Sequence, residues 1–486
     1  MRVSITRLFL LFLGSMAHCW SVAQAPTRAL RLDAAVELAR GQSISAKQAA
    51  TQKETAYWRW RSYQSDFKPQ LSLRGSLPSF TRSFLEVTQP DGNIAFLPVS
   101  YNNSSLNLEL SQRISRTGGT VFAQKQLQRF DNFIQNSTLY NGIPFAIGIQ
   151  QPLSQFNLWK WDKQTEPLQY NESQQQYLEN MEQVALDATV YYFNLLIAQV
   201  NLQIAQTNLS SSDTLYKIAN QKLALGKISQ NDILQLQLGV LNAQKDLASA
   251  TQAAEVAQLQ LKTHLSYRGD EKLALEVPTP GPIFTVDAGK ASQEALNNRA
   301  DAIAFKRRLL EASRELNRAK SNNGFNATLT AAFGLSNRGN QPLDIYQKPQ
   351  EREFIRLEFS IPLMDWGRSR SRTATAKANL QLTKQTVEQD RMSFEQEVFT
   401  QVTLMGMLQQ QVSLNARADQ IAAERFKIAQ DRFLLSDLSI TDLSIAIQEK
   451  DRAKRDYILV LRDYWRAYYT LRLLTLYDFE QNKKIQ

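Results

Sequence analysis

The sequence predicts a mainly α-helical chain with a smaller β portion, built as two tandem copies of a helix–strand–strand–helix unit. Three observations carry this. The chain matches itself at a constant offset, amphipathic strand patterns occur in each copy, and very long helical stretches with heptad spacing follow them. Tyr216-Lys-Ile-Ala-Asn-Gln-Lys-Leu aligns with Phe426-Lys-Ile-Ala-Gln-Asp-Arg-Phe at an offset of 210. The same offset carries Ile228 and Ser229 onto Leu438 and Ser439, and Asp232 onto Asp442. It also places Pro152-Leu153 on Pro362-Leu363, with Phe156 opposite Trp366. Further upstream the best offset grows to roughly 256, where Leu73 meets Leu329, so the first copy holds about 46 extra residues before its Pro-Leu element. The repeats are assigned to residues 27–277 and 283–480, joined by the break-like linker 278–282, Pro278-Thr-Pro-Gly-Pro282.

Residues 1–23 read as an export signal. Arg2 and Arg7 supply the positive start, and the apolar run Leu8 to Leu13 is too short to span a bilayer. Cleavage after Ser21-Val22-Ala23 leaves Gln24 first. The alternative after Ala25 is disfavoured because Pro26 would follow the cut. Cys19, the only cysteine, lies in this segment, and His18 before it does not fit a lipid-attachment box. The mature chain is then left with no cysteine and one histidine, His264. That excludes disulfides, Cys/His zinc sites, Ser-His-Asp triads and Cys-His nucleophiles, and no cofactor is implied.

Loss of the two arginines lowers the net charge from +10 to +8. The basic residues are scattered along amphipathic stretches without a block, which favours a mixed solvated surface over a nucleic-acid groove. No mature segment has the unbroken apolar length of a transmembrane helix. An exported chain of this kind is periplasmic, secreted, or inserted as a β-barrel.

Each copy begins with an alanine-rich helical stretch, Leu32 to Asp66 and Ala291 to Lys320. Strands follow, at about 69–152 and about 325–362. Leu71, Leu73, Gly75 and Leu77 alternate with Ser72, Arg74 and Ser76, and Leu106, Leu108 and Leu110 alternate with Asn107 and Glu109. In the second copy Ala327, Leu329, Ala331 and Phe333 form one such face, and Ile355, Leu357, Phe359 and Ile361 another. This period of two suits a half-buried sheet in water and equally a barrel with lipid outside and water inside. The extra segment carries the turn Thr117-Gly118-Gly119-Thr120; it lengthens strands, adds a hairpin or forms an external loop. Its aromatics Phe80, Phe84, Phe96 and Tyr101 suit an interfacial belt or ordinary core packing.

Long helices are expected at about 155–265 and about 368–478. From about Gln169 to Leu225 no proline or glycine intervenes, roughly 85 Å of helix, and Arg368 to Leu435 gives roughly 100 Å. Leu178, Met181, Ala185, Ala188, Tyr192, Leu195 and Leu202 keep heptad spacing, with Gln199 in the remaining slot. Leu236, Val240, Ala243, Leu247, Ala250, Ala254, Ala257 and Leu261 keep it after the turn, and Tyr457, Leu461, Tyr464, Tyr468 and Leu471 near the end. Such heptads imply helices packed side by side in a gentle supercoil. Alanine buries little area, so a larger bundle or oligomer is implied. The helices turn back at tips 225–229 (Leu225, Gly226, Lys227, Ile228, Ser229) and 435–439 (Leu435, Ser436, Asp437, Leu438, Ser439). Gly226 suits the left-handed end of a helix. Ser229 with Asp232, and Ser439 with Asp442, have capping-box spacing, which by itself only starts a helix; two equivalent tips at the far ends of such helices form a natural docking rim.

In this order and duplication the chain resembles the TolC family of outer-membrane efflux proteins. The junctions Gln151-Pro152-Leu153 and Ile361-Pro362-Leu363-Met364-Asp365-Trp366-Gly367 resemble the family's strand-to-helix turns, and the tips its periplasmic turns. The resemblance implies a homotrimer in the cell outer membrane. Its amphipathic strands share one barrel among outer-membrane lipid, and its long coiled-coil hairpins form a periplasmic α-barrel tunnel. It implies a channel for drugs, small molecules or polypeptides that makes and breaks no bond, partnered by a periplasmic adaptor (membrane fusion) protein and an inner-membrane transporter, with no nucleic acid. Asp442 aligns with an aspartate lining the family's periplasmic aperture, and three copies of it would make a ring of like charge. Asp232 is its first-copy counterpart. Leu438 and Phe433 stand where some members carry an arginine and a tyrosine, and Ile445 replaces a second aspartate, so a hydrophobic constriction is expected to replace part of a salt-bridged one. Three other readings compete: type I protein secretion through the same architecture, a structural periplasmic coiled coil, and an exported hydrolase using carboxylates such as Glu351, Glu353 and Glu358. No signature selects those acids.

Overall fold

The computed structural model describes residues 27–224, 228–281, 284–435 and 438–486. The expected signal segment, the tip residues Leu225, Gly226, Lys227, Ser436 and Asp437, and Pro282 of the linker lie outside the described residues. The elements in chain order are β1 (Thr27–Leu30), α1 (Leu32–Gln42), α2 (Ile44–Asp66), β2 (Gln70–Ser76), β3 (Phe80–Thr88), β4 (Ile94–Ile114), β5 (Gly119–Asn132) and β6 (Ser137–Leu153). Next come α3 (Leu158–Ala224), α4 (Gln230–His264), β7 (Lys272–Leu275), α5 (Ala288–Asn298), α6 (Ala300–Asn322), β8 (Asn326–Gly339) and β9 (Gln350–Ser360). The chain closes with α7 (Arg368–Leu434), α8 (Ile440–Thr475), β10 (Tyr477–Asp478) and β11 (Lys483–Lys484). The order helix, strands, long helix, return helix occurs twice.

Three sequence expectations are refined. The opening helical stretch of each copy is two helices. Ser43 starts α2 by accepting the Ala46 N–H at 3.1 Å, and the carboxylate of Glu179 accepts the Ala300 N–H at 2.8 Å at the start of α6. Helix α3 begins before Gln169, at Leu158, and runs through Pro167. Proline removes one intrahelical hydrogen bond, and α3 continues through it. The extra segment of the first copy adds strands to the sheet itself.

The chain divides into two units. One comprises Arg40–Asp187, Gly281–Ala418 and Val460–Gln486. It contains the main sheet, ordered β2-β4-β5-β6-β8-β9 with β3 also paired to β4, and every pairing is antiparallel. The register aligns Leu71, Leu110, Ala123, Ile147 and Phe333 in one row across five strands. The neighbouring row, on the opposite face, reads Ser72, Glu109, Gln124, Ala146, Gly334 and Arg352. Leu71, Leu110, Ile147 and Phe333 are all exposed, so this row of the apolar face is bare in a single chain, while Ile345 covers the same face at Gly142. Phe80, Phe84 and Phe96 are exposed too; the Phe80 ring lies 5.7 Å from that of Phe133, and Tyr101 stacks on Phe130. A bulge between Gly142 and Phe145 presses β6 against β8 at Gly334, where a Cβ would lie 2.6 Å from the Ala146 Cα.

The helical part of this unit has a small core of Ala291, Ala295, Phe394, Val398 and Leu474. Beside it lies a buried ion network. Glu182, 2% exposed in its side chain, receives Arg472 at 3.0 Å and also Arg40, while Arg472 reaches Asp478 and the Tyr468 hydroxyl. Burial, the largest single influence, lowers the Arg472 pKa, but the hydrogen bond it donates to Glu182, the charge of that carboxylate and its contact with Tyr468 together outweigh it, and the guanidinium is held more firmly charged.

The other unit comprises the chain up to Ala39, Ala188–Pro280 and Asp419–Leu459. Here β1 and β7 pair in parallel. The Gln199 side chain completes this small sheet: its Nε2 donates to Leu273 O at 2.6 Å and its Oε1 accepts the Leu275 N–H at 3.1 Å. The polar residue in an otherwise apolar heptad slot is thus a strand substitute. Tyr192, wholly buried, brings its hydroxyl to 2.6 Å from the Glu276 carbonyl and 3.0 Å from that of Leu30, fastening both strands to α3.

Candidate functional site at the helical tips

The expected aperture residues, and the docking residues Ile228, Ser229, Leu438 and Ser439, fall in the second of these units, beside the ends of α3, α4, α7 and α8. At the first tip Ser229 and Asp232 close a reciprocal cap. The Asp232 N–H donates to Ser229 Oγ at 3.2 Å, and Asp232 Oδ2 accepts the Ser229 N–H at 2.9 Å and its hydroxyl at 2.8 Å. The Ser229 backbone N–H, then its hydroxyl, hold the Asp232 carboxyl below its ordinary value. At the second tip the Asp442 N–H donates to Ser439 Oγ at 3.1 Å, and the Ser439 hydroxyl donates to Asp442 Oδ2 at 2.6 Å. The next residue in each helix, Ile233 and Leu443, is buried, so the duplicated sequence repeats its side-chain environment as well.

The five aperture candidates separate into two settings. Asp442 and Ile445, three residues apart on α8, share its exposed face, while Leu443 and Ala446 face inward. Phe433 is 6% exposed, beneath Lys222, whose Nζ lies 5.0 Å from the ring centroid and 3.5 Å from the Phe433 carbonyl oxygen. This lysine joins the end of α3 to the end of α7. Sequence reading passed over it, since its partner is 211 residues away. Leu438 and Ile228 are half-buried beside their turns, and Asp232 sits at the equivalent position on α4.

Cross-links behind the tips hold the hairpins together. Arg425 pairs with Glu449, Lys454 Nζ lies 3.1 Å from Asp419, and Asn208 donates to Asp451 at 2.6 Å. No group of His, Cys, Asp and Glu able to hold a metal occurs among the described residues. The carboxylates here cap helices and offer exposed charge; they are not set in pairs for acid–base work. Glu351, Glu353 and Glu358 lie on β9, in the other unit.

The family model described as outer membrane efflux protein matches residues 99–266 and 287–475, one segment in each copy. No curated protein is similar enough in sequence to count as a match. Among solved structures, CusC, reported with its transmembrane channel formation, is similar at 17% identity and a TM-score of 0.65 over 91% of both chains. The Campylobacter jejuni CmeC outer membrane channel is similar at 15% identity and 0.65, over 94% of this chain and 86% of that one. The Neisseria gonorrhoeae MtrE outer membrane channel gives 14% and 0.63, over 94% and 91%. At such identities the structures establish a shared fold, and the family match rests on the sequence of both repeats. The protein belongs to the outer membrane efflux protein family, and is a channel of that family rather than an enzyme.

Proposed function

We propose that the protein is the outer-membrane channel-tunnel subunit of an export system, working as a homotrimer that passes small molecules or drugs from the periplasmic side to the exterior. In this reading the mature chain begins at Gln24, and the repeats span 27–277 and 283–480. Three sheets form one barrel among outer-membrane lipid, and the long hairpins form the periplasmic tunnel. The tips at 225–229 and 435–439 meet a periplasmic adaptor, which links the channel to an inner-membrane transporter that supplies the energy. Asp442 lines the periplasmic aperture, where three carboxylates attract cations.

The observation that supports the trimer best lies on α7. Met407, Leu414, Ile421 and Ile428 are spaced seven apart and are 47%, 66%, 55% and 60% exposed. A bare apolar heptad stripe is the face of a coiled coil whose partner helix comes from another chain. Leu234, Leu238 and Leu241 repeat this on α4, each more than half exposed.

Membrane fractionation with unboiled gel migration tests the reading. The wild type is expected in the outer-membrane fraction as a trimer, and a chain carrying Leu414→Lys and Ile421→Lys as a monomer. A soluble, monomeric wild type would overturn it. Dye retention in cells lacking the protein separates small-molecule export, where retention rises, from polypeptide secretion, where it does not change.

A further inference from the structure

Two copies of a strand–strand unit supply four strands, but the main sheet has six strand positions, β2 continued by β3 occupying one of them. The surplus pair is β4 and β5, inserted between β2 and β6. Whether such a hairpin stands in the channel wall or outside it decides how wide the channel is.

Its side chains follow the wall. The row from Leu71 through Leu110 and Ala123 to Ile147 is apolar across β4 and β5, and the row behind it, Ser72, Glu109 and Gln124, is polar; two residues along β5 the apolar face carries Lys125, over the Tyr346 ring, and then Leu127. A hairpin lying against the outside of a barrel would instead turn one face to the barrel and break the row.

The sheet also ends in two complementary edges. Among the described residues β2 pairs only with β4 and β9 only with β8, so each carries a line of unpaired backbone groups. In lipid each such group costs several kcal/mol, so an open edge there requires a partner. With six positions, all antiparallel, β2 and β9 run in opposite directions, and rotation about a common axis sets β9 of one copy antiparallel to β2 of the next. Arg74 on β2 and Glu358 on β9 both lie on the polar face, Glu358 near the end of its strand that joins α7 and Arg74 four residues from the end of β2 that follows α2. Neither has an ion partner among the described residues, and their charges are opposite.

We propose that three copies of this chain close a single barrel of eighteen strands, each β9 pairing with the β2 of the next copy and each β4–β5 hairpin forming part of the wall. The proposal rests on the trimeric channel reading above and adds the wall's composition and width. With strands about 4.8 Å apart and tilted about 40°, eighteen give a backbone diameter of roughly 36 Å, where twelve give roughly 24 Å.

Cysteine labelling tests it on the full chain, in a Cys19→Ser background that contains no other cysteine. Single substitutions Asn107→Cys, Glu109→Cys and Gln124→Cys are expected to react with a water-soluble maleimide in intact outer membranes. Leu108→Cys, Leu110→Cys and Ala123→Cys are expected to lose that reactivity and to take only a lipid-soluble reagent. Equal water-soluble labelling of both sets would place the hairpin outside the wall and overturn the proposal. Leu71→Cys, combined in turn with Leu357→Cys, Phe359→Cys and Ile361→Cys, is expected to yield covalent dimers and trimers on oxidation in at least one combination. If none cross-links while the unboiled trimer persists, the edges do not meet and the proposal fails with the trimer intact. Absence of any trimer in the wild type would instead overturn the channel reading, and the barrel with it.

Discussion

The Ser439 hydroxyl donates to Asp442 Oδ2 at 2.6 Å, so the aspartate assigned to the aperture is also tied into the first turn of its own helix. The two roles separate by mutation. Ser439→Ala removes the cap, costs about 1 kcal/mol locally, and leaves the charge in place. Asp442→Asn keeps a hydrogen-bonding side chain and removes the charge. In planar bilayers Asp442→Asn is expected to weaken cation preference and block by multivalent cations, and Ser439→Ala to leave both unchanged. Equal effects from the two would assign Asp442 to capping alone.

The first tip has a pH dependence of defined sign. The folded Asp232 carboxyl has a pKa below its ordinary value of 3.8, so its stabilisation is fully present above that value and is lost as the pH falls through the lowered one. Hydrogen exchange at residues 230–233, corrected for intrinsic rates, is expected to show protection at neutral pH that declines only below about pH 4. Asp232→Asn should lack that acid transition. A transition near pH 6 in the wild type would contradict the assignment.

Gln199→Leu gives a better heptad on paper and a worse protein. It leaves the Leu273 carbonyl and the Leu275 N–H without their side-chain partner, at a cost of about 1–3 kcal/mol. Faster exchange at β7, with the long helices still protected, is the expected readout.

Arg472→Met leaves the almost fully enclosed Glu182 with Arg40 alone and takes the guanidinium from the equally enclosed Asp478, and is expected to cost about 3–5 kcal/mol. The midpoint of urea unfolding should fall accordingly. Adding Glu182→Leu to the same chain should recover part of the loss, because one of the two under-partnered carboxylates is then gone.

What could be read in advance divides by distance along the chain. The capping pairs Ser229–Asp232 and Ser439–Asp442 were legible because a cap is chemistry between residues three apart. The long helices and the duplication were legible for the same reason, as local periodicity written twice. The role of Gln199 was hidden because its partners on β7 lie more than 70 residues away, and that of Arg472 because Glu182 is 290 residues away. The run free of proline and glycine begins only at Gln169, but α3 starts at Leu158 and passes through Pro167. Strands β4 and β5 showed their alternation plainly in part, at Leu106 to Leu110, but alternation does not state which neighbour a strand will choose. Phe433 was singled out by alignment alone, and burial beneath Lys222 is a property only the folded hairpins reveal.

The pairing of β6 with β8 sets an order of events during biogenesis. Leu153 meets Ala327, yet the whole first helical hairpin, the β1–β7 partner strand and two further helices are synthesised between them. The first copy therefore emerges with the edge of β6 open and cannot complete its sheet until the second copy arrives. Contacts of such long sequence separation form slowly, and an open strand edge invites pairing with the wrong chain in the interval. Shortening that wait by circular permutation would be expected to raise the yield of assembled protein.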